Sequence, residues 1–376
     1  MSLFGDNKES YLGVDIGAGG IKLVELRKTK GRPQLWTYGI AEGDLDIHIQ
    51  SGEVDSSPKD EIKVSAKEDE SRKASIRVDD PRVDRFASVL KKLVETSKVS
   101  TKIAAASLPV SYVFHSLLTL PEVEKKQIDL IVKAEIAKIL QRPVDEMQIV
   151  HQEIPQTKEE KKKKYQRLLV TAVPKDLVRF YTSVFQKAGL QLEALETEAF
   201  AIERSLVGHD PATVMVIDIG SERTNFFIMD GGLPMTHRSV QIGGNKIDKV
   251  LQNIMGVDAV VAKQIKYDLS ALDSALLKRD EFDNIINPII KEIEYGFDLF
   301  LRQSGNEGKR PEKVILTGGS GQFLPILERI QESFNFKVFV GDPWARVVYQ
   351  QGLKPVLDEI GPRMPVCIGL AMRNMV

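Results

Sequence analysis

VMVIDIGSERTNFFIMDGG, residues Val214–Gly232, decides how the rest of the chain reads. A short apolar strand ends in Asp218, and a tight turn carries Gly220 and Ser221. A second apolar strand, Phe226–Met229, closes on Asp230-Gly231-Gly232. Near the N-terminus YLGVDIGAGGIKLVEL, Tyr11–Leu26, has the same design. Asp15, Gly17 and Gly20 stand there as Asp218, Gly220 and Arg223 stand later, an offset of 218 − 15 = 203 residues. Each half of the chain thus opens on a strand–Asp-x-Gly–strand hairpin, which predicts an α/β protein with one half repeating the other in architecture.

A third glycine turn, Thr317-Gly318-Gly319-Ser320-Gly321, follows the apolar strand Val314–Leu316 and precedes a helix over Phe323–Phe334. A strand that runs into a glycine turn leaves backbone N–H groups at an open edge. Without Cβ atoms, those groups can approach an anion closely. Turns from two related halves, facing each other, would clamp a polyphosphate. The helix after the third turn offers a positive N-terminus to the sugar–phosphate end of a nucleotide. An aspartate aimed at a phosphate repels it unless a cation intervenes, so Asp15 and Asp218 point to a hydrated Mg²⁺. Lys22, or the hydroxyls of Ser221 and Thr224, would complete the contacts to the outer phosphates. One Asp-x-Gly turn alone is most often just a turn, and neither GxGxxG nor GxxxxGK[ST] occurs. The joint occurrence of two matching hairpins and a strand–TGGSG–helix carries the reading.

Composition sets the class. The 376 residues exceed one ordinary core, and 42% hydrophobic with 28% charged is a globular composition. A formal net charge of −1 gives no global reason to expect nucleic acid. Cys367, the single cysteine, lies in the apolar run Val366–Leu370 and reads as a small buried hydrophobe in a reducing compartment. No run of 18 apolar residues occurs and MSLFGDNKES lacks the order of a signal peptide, so a cytoplasmic location is expected, with any membrane contact made through a partner.

In order, residues 1–10 read as a flexible N-terminus. The apolar segments Leu12–Ile16, Ile21–Leu26 and Leu35–Ile40 form an antiparallel meander. From Glu42 to Asp80 acidic residues outnumber basic ones two to one and aromatics vanish, the pattern of an extended insertion. Amphipathic spacing predicts helices over Pro81–Ser97, Glu122–Leu140 and Asp176–Ala188. Strands are expected at Ile103–Leu108, Tyr112–Thr119, Gln148–Ile154 and Leu168–Val173, with the lysine-rich run Lys158–Lys164 as a solvated hairpin tip. Together 103–188 reads as a compact α+β subdomain. Leu192–Leu195 is a strand leading into a helix that ends at Leu206, and helices dominate from Lys246 to Gln303.

This combination resembles the actin-like ATPase superfamily. DIGAGGIKLVEL is similar to its first phosphate motif, the Val214–Gly232 stretch to its second, and VILTGGSGQFLPILERI to its adenosine motif. Within the superfamily the chain resembles the type IV pilus assembly protein PilM family. The likeness rests on ASLPVSYVFHSLLTLPEVEKKQIDLIVKAEIAKIL, ETEAFAIERSL, FLPILERIQESFNFKVFVGDPWARV and VCIGLAMR. The resemblance implies duplicated ribonuclease-H-like halves with an FtsA/PilM-type small subdomain inserted in the first. The first half would take 11–102 and 189–210, with the acidic insertion 42–80, and the small subdomain 103–188. The second half would take 211–245 and 306–376, and a helical nucleotide-side subdomain 246–305. It implies ATP and Mg²⁺ as ligands, with Asp15 and Asp218 holding the metal through water. Gly17, Ala18, Gly19, Gly20 and Lys22 would cradle phosphates from one side, and Gly220, Ser221 and Thr224 from the other. Gly318, Gly319 and Ser320 would contact the nucleoside, with Lys263 and Lys266 packing on the adenine. Glu196 and Glu198 lie where the superfamily keeps the residue that positions the attacking water.

The expected function is that of an ATP-binding scaffold of the pilus assembly machinery, with any hydrolysis slow. Its partner would be the cytoplasmic N-terminal peptide of a PilN-like bitopic inner-membrane protein, with the pilus assembly ATPases as further partners and no nucleic acid. That would place it at the inner membrane only indirectly. Two alternatives stand beside it. An FtsA-like division protein would carry a membrane-binding amphipathic tail, and none is seen after Val366–Met372. A metabolic kinase of the superfamily would need a substrate-side aspartate base, and none stands out.

Overall fold

The computed structural model describes residues 9–43, 45–47, 80–140, 142–155, 162, 164–267, 279–303, 306 and 308–375. Residues 1–10 before Glu9, the interior of the acidic stretch and most of Lys158–Lys164 lie outside the described residues. The strands are β1 (Ser10–Gly17), β2 (Gly20–Thr29), β3 (Arg32–Glu42), β4 (Ile103–Leu108), β5 (Phe114–Pro121), β6 (Met147–Glu153), β7 (Tyr165–Pro174), β8 (Gln191–Thr197), β9 (Val214–Ile219), β10 (Thr224–Asp230), β11 (Leu233–Val240), β12 (Lys313–Thr317) and β13 (Lys337–Val340). The chain divides into two compact units. One comprises Met1–Leu45, Leu93–Val110 and Leu192–Val376, the other Asp46–Lys92 and Ser111–Gln191.

The first unit holds two five-stranded sheets with orders β3-β2-β1-β4-β8 and β11-β10-β9-β12-β13. Written in each half's own strand order, both read 3-2-1-4-5. β1 is antiparallel to β2 and parallel to β4; β9 is antiparallel to β10 and parallel to β12. The architectural repeat expected from the 203-residue offset is therefore present strand by strand. The first strands are buried almost end to end, Val214–Ile217 without interruption, as strands covered on both faces are.

Ile103–Leu108, expected in the small subdomain, lies instead in the first large sheet. Ala104–Ala106 pair with Leu12–Val14, and this parallel pairing buries the small side chains beside β1. The helix expected to run to Leu206 is present but changes its winding partway. Glu198–Ile202 is α-helical and passes into a π turn, Glu203–Val207. Gly208 stops it at φ 59°, and Arg346 seals the end by donating to the carbonyls of Arg204 and Val207.

The helix Pro365–Ala371 is buried on every side, as an all-apolar helix must be. Val366 and Leu370 join a core with Val214, Val216 and Ile315, whereas Cys367, Ile368 and Ala371 join one with Val24, Leu26 and Trp344. Burial holds the Cys367 thiol far above its ordinary pKa, in keeping with its reading as an inert hydrophobe.

The second unit is built on the antiparallel sheet β5-β7-β6. The helix Lys125–Ala137 covers it through Ile128, Val132 and Ile136, against Leu168, Val170 and Ala172. Phe86 meets Phe180 of the helix Lys175–Lys187 edge to face at 5.6 Å. Among the described residues no helix is long and apolar enough to cross a membrane.

Candidate functional site

The glycine turns do converge. Gly20, at φ 128°, closes the first: a Cβ there would stand 2.0 Å from the Ala41 carbonyl oxygen, so only glycine fits. In the second, Gly220 N donates to the Arg223 carbonyl at 2.9 Å. The two turns face one another, since a Cβ placed on Gly19 would lie 3.1 Å from Ser221 Oγ. The third turn is drawn in by the register of β12, whose Thr317 sits beside Asp218. Ser320 N donates to the Ile219 carbonyl at 3.1 Å. Gly318, at φ 86°, comes so close that a Cβ would be 2.4 Å from Asp218 Oδ1.

Gly243-Gly244 joins them. The helix Gly244–Met255 begins on the second turn, with Gly244 N and Asn245 N donating to the carbonyls of Gly220 and Ser221, both at 2.8 Å. A Cβ on Gly244 would stand 2.4 Å from Ser320 Oγ and 3.0 Å from Lys266 Nζ.

The charges around these turns are unbalanced. Asp15 is buried, its Oδ2 2.7 Å from Lys22 Nζ and its Oδ1 accepting from the Ser107 hydroxyl at 2.8 Å. Burial lifts the Asp218 pKa to about 6; Asp15 adds to the rise, while Lys22 and a hydrogen bond from Asn225 oppose it. Glu198 is held well above the carboxylate range by burial first and then by the charges of Asp15 and Asp218. Its Oε2 accepts from Val110 N at 3.4 Å and Asn225 Nδ2 at 3.3 Å. Burial alone would lower the Lys22 pKa, but Asp15 and Asp218 outweigh it and the ammonium stays firmly charged. Three carboxylates thus share one ammonium, and such a cluster favours a further cation.

These residues fit a magnesium ion. The donors, the carboxylates of Asp15 and Asp218, are hard oxygens. That suits an ion which keeps its waters and takes its other ligands from phosphate.

Not every expected residue joins the cluster. Glu196 is bound to Arg204 and lies 3.8 Å from Arg373; strand alternation would put it on the same face as Glu198, but β8 ends at Thr197 and Glu198 opens a helix, so the two side chains part. Thr224 is fully buried and spends its hydroxyl on the Ile242 carbonyl at 2.6 Å. Lys263 is paired with Glu42 at 2.7 Å. Lys266 lies beside Gly244 and Ser320 with its ammonium 2.7 Å from Asp248; burial lowers its pKa against that carboxylate.

Ser107 was not foreseen; its signal was only its place at the end of a strand. Nor were Tyr267 and Arg363, which flank Gly319: a Cβ there would meet Tyr267 Oη at 3.7 Å and Arg363 Cγ at 3.9 Å.

Comparison with known proteins gives the family and the fold. The family described as type IV pilus assembly protein PilM matches residues 56–375. The cell division protein FtsA of Pseudomonas aeruginosa is 22% identical over 211 residues, covering 50% of this chain and 49% of FtsA. The chain thus spans about half the length of that relative. Among solved structures, a PilM-PilN type IV pilus biogenesis complex is similar with a TM-score of 0.77 and 19% identity, over 98% of this chain and 99% of that one. The ethanolamine utilization protein EutJ from Carboxydothermus hydrogenoformans is similar with a TM-score of 0.50 and 16% identity, over 96% and 89%. At such identities the likeness shows the fold, which is that of the actin-like ATPases, as the paired sheets require.

Proposed function

The chain belongs to the type IV pilus assembly protein PilM family, and from that premise we propose that it binds ATP with Mg²⁺ and acts as a scaffold of the pilus machine. The observation that carries the nucleotide reading is the convergence of Asp15, Asp218 and Glu198 on Lys22, at the place where Gly19 faces Ser221. The backbone of Gly17–Gly20 and of the Gly220–Ser221 turn cradles the phosphates, with the Gly220 N–H itself holding the turn closed on the Arg223 carbonyl. Lys22 supplies positive charge, and a phosphate drawn to it competes with Asp15 for the ammonium. Mg²⁺, held through its waters by Asp15 and Asp218, would neutralise the outer phosphates. Gly318, Gly319 and Ser320 take the nucleoside, with Lys266, Tyr267 and Arg363 around it. Glu198, set beside both aspartates, positions the attacking water.

The partner in this reading is the cytoplasmic N-terminal peptide of a PilN-like bitopic inner-membrane protein. A PilM-PilN complex is similar over 98% of this chain and 99% of its own, which supports it. The protein then works on the cytoplasmic face, tied to the membrane by that peptide. ATP acts by favouring one arrangement of the two halves and so one partner surface.

Calorimetric titration tests both parts. The wild type is expected to bind ATP only weakly without Mg²⁺ and to bind a synthetic peptide of the partner's N-terminus. Glu198→Gln should keep nucleotide affinity while losing about 100-fold of whatever ATPase rate the wild type shows. Absence of peptide binding with or without ATP would overturn the partner assignment.

A further inference from the structure

The segment that leaves β3 joins the two walls of the site. Glu42 ends that strand, paired in register with Gly20. Beyond it, Gly43 N donates to the Gly19 carbonyl at 3.4 Å and Leu45 N to the Ala18 carbonyl at 3.0 Å. Gly43 and Leu45 thus lie along the first phosphate turn. The Glu42 carboxylate reaches the other way. Oε1 accepts from Arg363 Nη1 at 2.8 Å, and Oε2 from Lys263 Nζ at 2.7 Å. Lys263 stands on the helix Ala259–Tyr267. Arg363 ends the turn Gly361–Arg363, whose Pro362 carbonyl accepts from Gly318 N at 2.7 Å and Thr317 Oγ1 at 2.9 Å. One carboxylate of the first half therefore grips two separate pieces of the second, both beside the Gly318–Ser320 turn.

We propose that Glu42, Lys263 and Arg363 form an ion-pair latch that closes the two walls over a bound nucleotide and sets how fast it leaves. The proposal rests on the nucleotide reading of the site. Each side chain has a job the carboxylate cluster around Lys22 does not need. Asp15, Asp218 and Glu198 gather around Lys22, whereas the Glu42 carboxylate is bound to Lys263 and Arg363. The Glu42 pKa is depressed mainly by its hydrogen bond from Lys263, with Arg363 adding to it, so the carboxylate stays charged and paired across the physiological range. The side chains of Glu42 and Lys263 are 50% and 42% exposed, that of Arg363 17%. Water and salt therefore reach the latch, and exposed pairs of this kind are weak and screened. A weak clasp across a closing joint is suited to opening. It also gives Lys263 a role other than stacking on adenine: its ammonium is committed to Glu42.

Stopped-flow release of the fluorescent analogue mant-ATP, loaded with Mg²⁺, tests this on the full chain. Glu42→Gln is expected to release the analogue about three- to tenfold faster at low salt, consistent with the loss of two exposed pairs, with its melting temperature unchanged. Raising salt should speed release from the wild type toward the Glu42→Gln rate and leave the variant nearly unaffected. The charge exchange Glu42→Lys with Lys263→Glu should restore part of the slow release. Unchanged release from Glu42→Gln, or equal salt acceleration in both proteins, overturns the latch while leaving the nucleotide site standing. Failure of the wild type to bind the analogue at all overturns the nucleotide site, and the latch with it.

Discussion

Asp218→Asn is expected to weaken magnesium-dependent ATP binding by about 10- to 100-fold, the range typical of groups that orient a metal from its outer shell, without lowering the melting temperature of the protein alone. The two halves of that result have one cause. Asp218 is a half-buried carboxylate whose desolvation lifts its pKa to about 6, next to Asp15 and Glu198. Removing its charge relieves a desolvation cost and a like-charge repulsion. The amide keeps the shape that fits beneath Gly318, whose absent Cβ would lie 2.4 Å from Oδ1. The Lys22–Asp15 pair at 2.7 Å is untouched. What is lost is a ligand for a hydrated cation, so the thermal shift produced by MgATP should shrink while the ligand-free curve stays or moves up. Adding Asp15→Asn should remove the remaining metal dependence. A simple packing role for Asp218 predicts the opposite pattern, lower stability with ATP binding retained. Differential scanning fluorimetry with and without MgATP, beside titration calorimetry, separates the two.

Gly369→Ala is expected to destabilise the fold by about 3 kcal/mol, at the upper end for overpacking. The residue sits in the buried helix Pro365–Ala371, where a Cβ would stand 1.7 Å from the Ala201 carbonyl oxygen. No rotamer relieves a clash with backbone, so either the helix or the segment Glu198–Ile202 must shift. The same helix touches β1 on its other side, where Gly13 would bring a Cβ within 2.0 Å of the Cys367 carbonyl oxygen. A shift would therefore also disturb Asp15 and Glu198, on the elements it packs against. Urea denaturation measures the loss. A change below about 0.5 kcal/mol, the scale of an ordinary surface substitution, would show that the close packing of this helix is not what holds the two cores.

How much of this was legible follows from the kind of signal each feature leaves. The hairpins carry local signals: alternating apolar residues, then Asp-x-Gly, at two places 203 residues apart. The sheets built on them have the same order, and the three glycine turns meet as that repeat implied. Features made by pairing between distant segments left no such trace. Ile103–Leu108 is a strand by composition, but IAAASL does not say which sheet will take it. The pairing of Ala104–Ala106 with Leu12–Val14 decided that, and it also brought Ser107 to Asp15. Glu196 and Glu198 read alike as acidic residues before a helix. Only the change from strand to helix at Thr197 sends one to Arg204 and the other to the phosphate turns. Glu42 looked like the first residue of an acidic stretch because its partners, Lys263 and Arg363, are 221 and 321 positions away.

The most direct test of the central claim is a crystal structure of the chain with Mg²⁺ and a non-hydrolysable ATP analogue. A triphosphate is expected between the Gly17–Gly20 and Gly220–Ser221 turns, with a metal whose waters reach Asp15 and Asp218 and the nucleoside against Gly318–Ser320. An analogue bound elsewhere, or bound there with the metal remote from both aspartates, would contradict that claim.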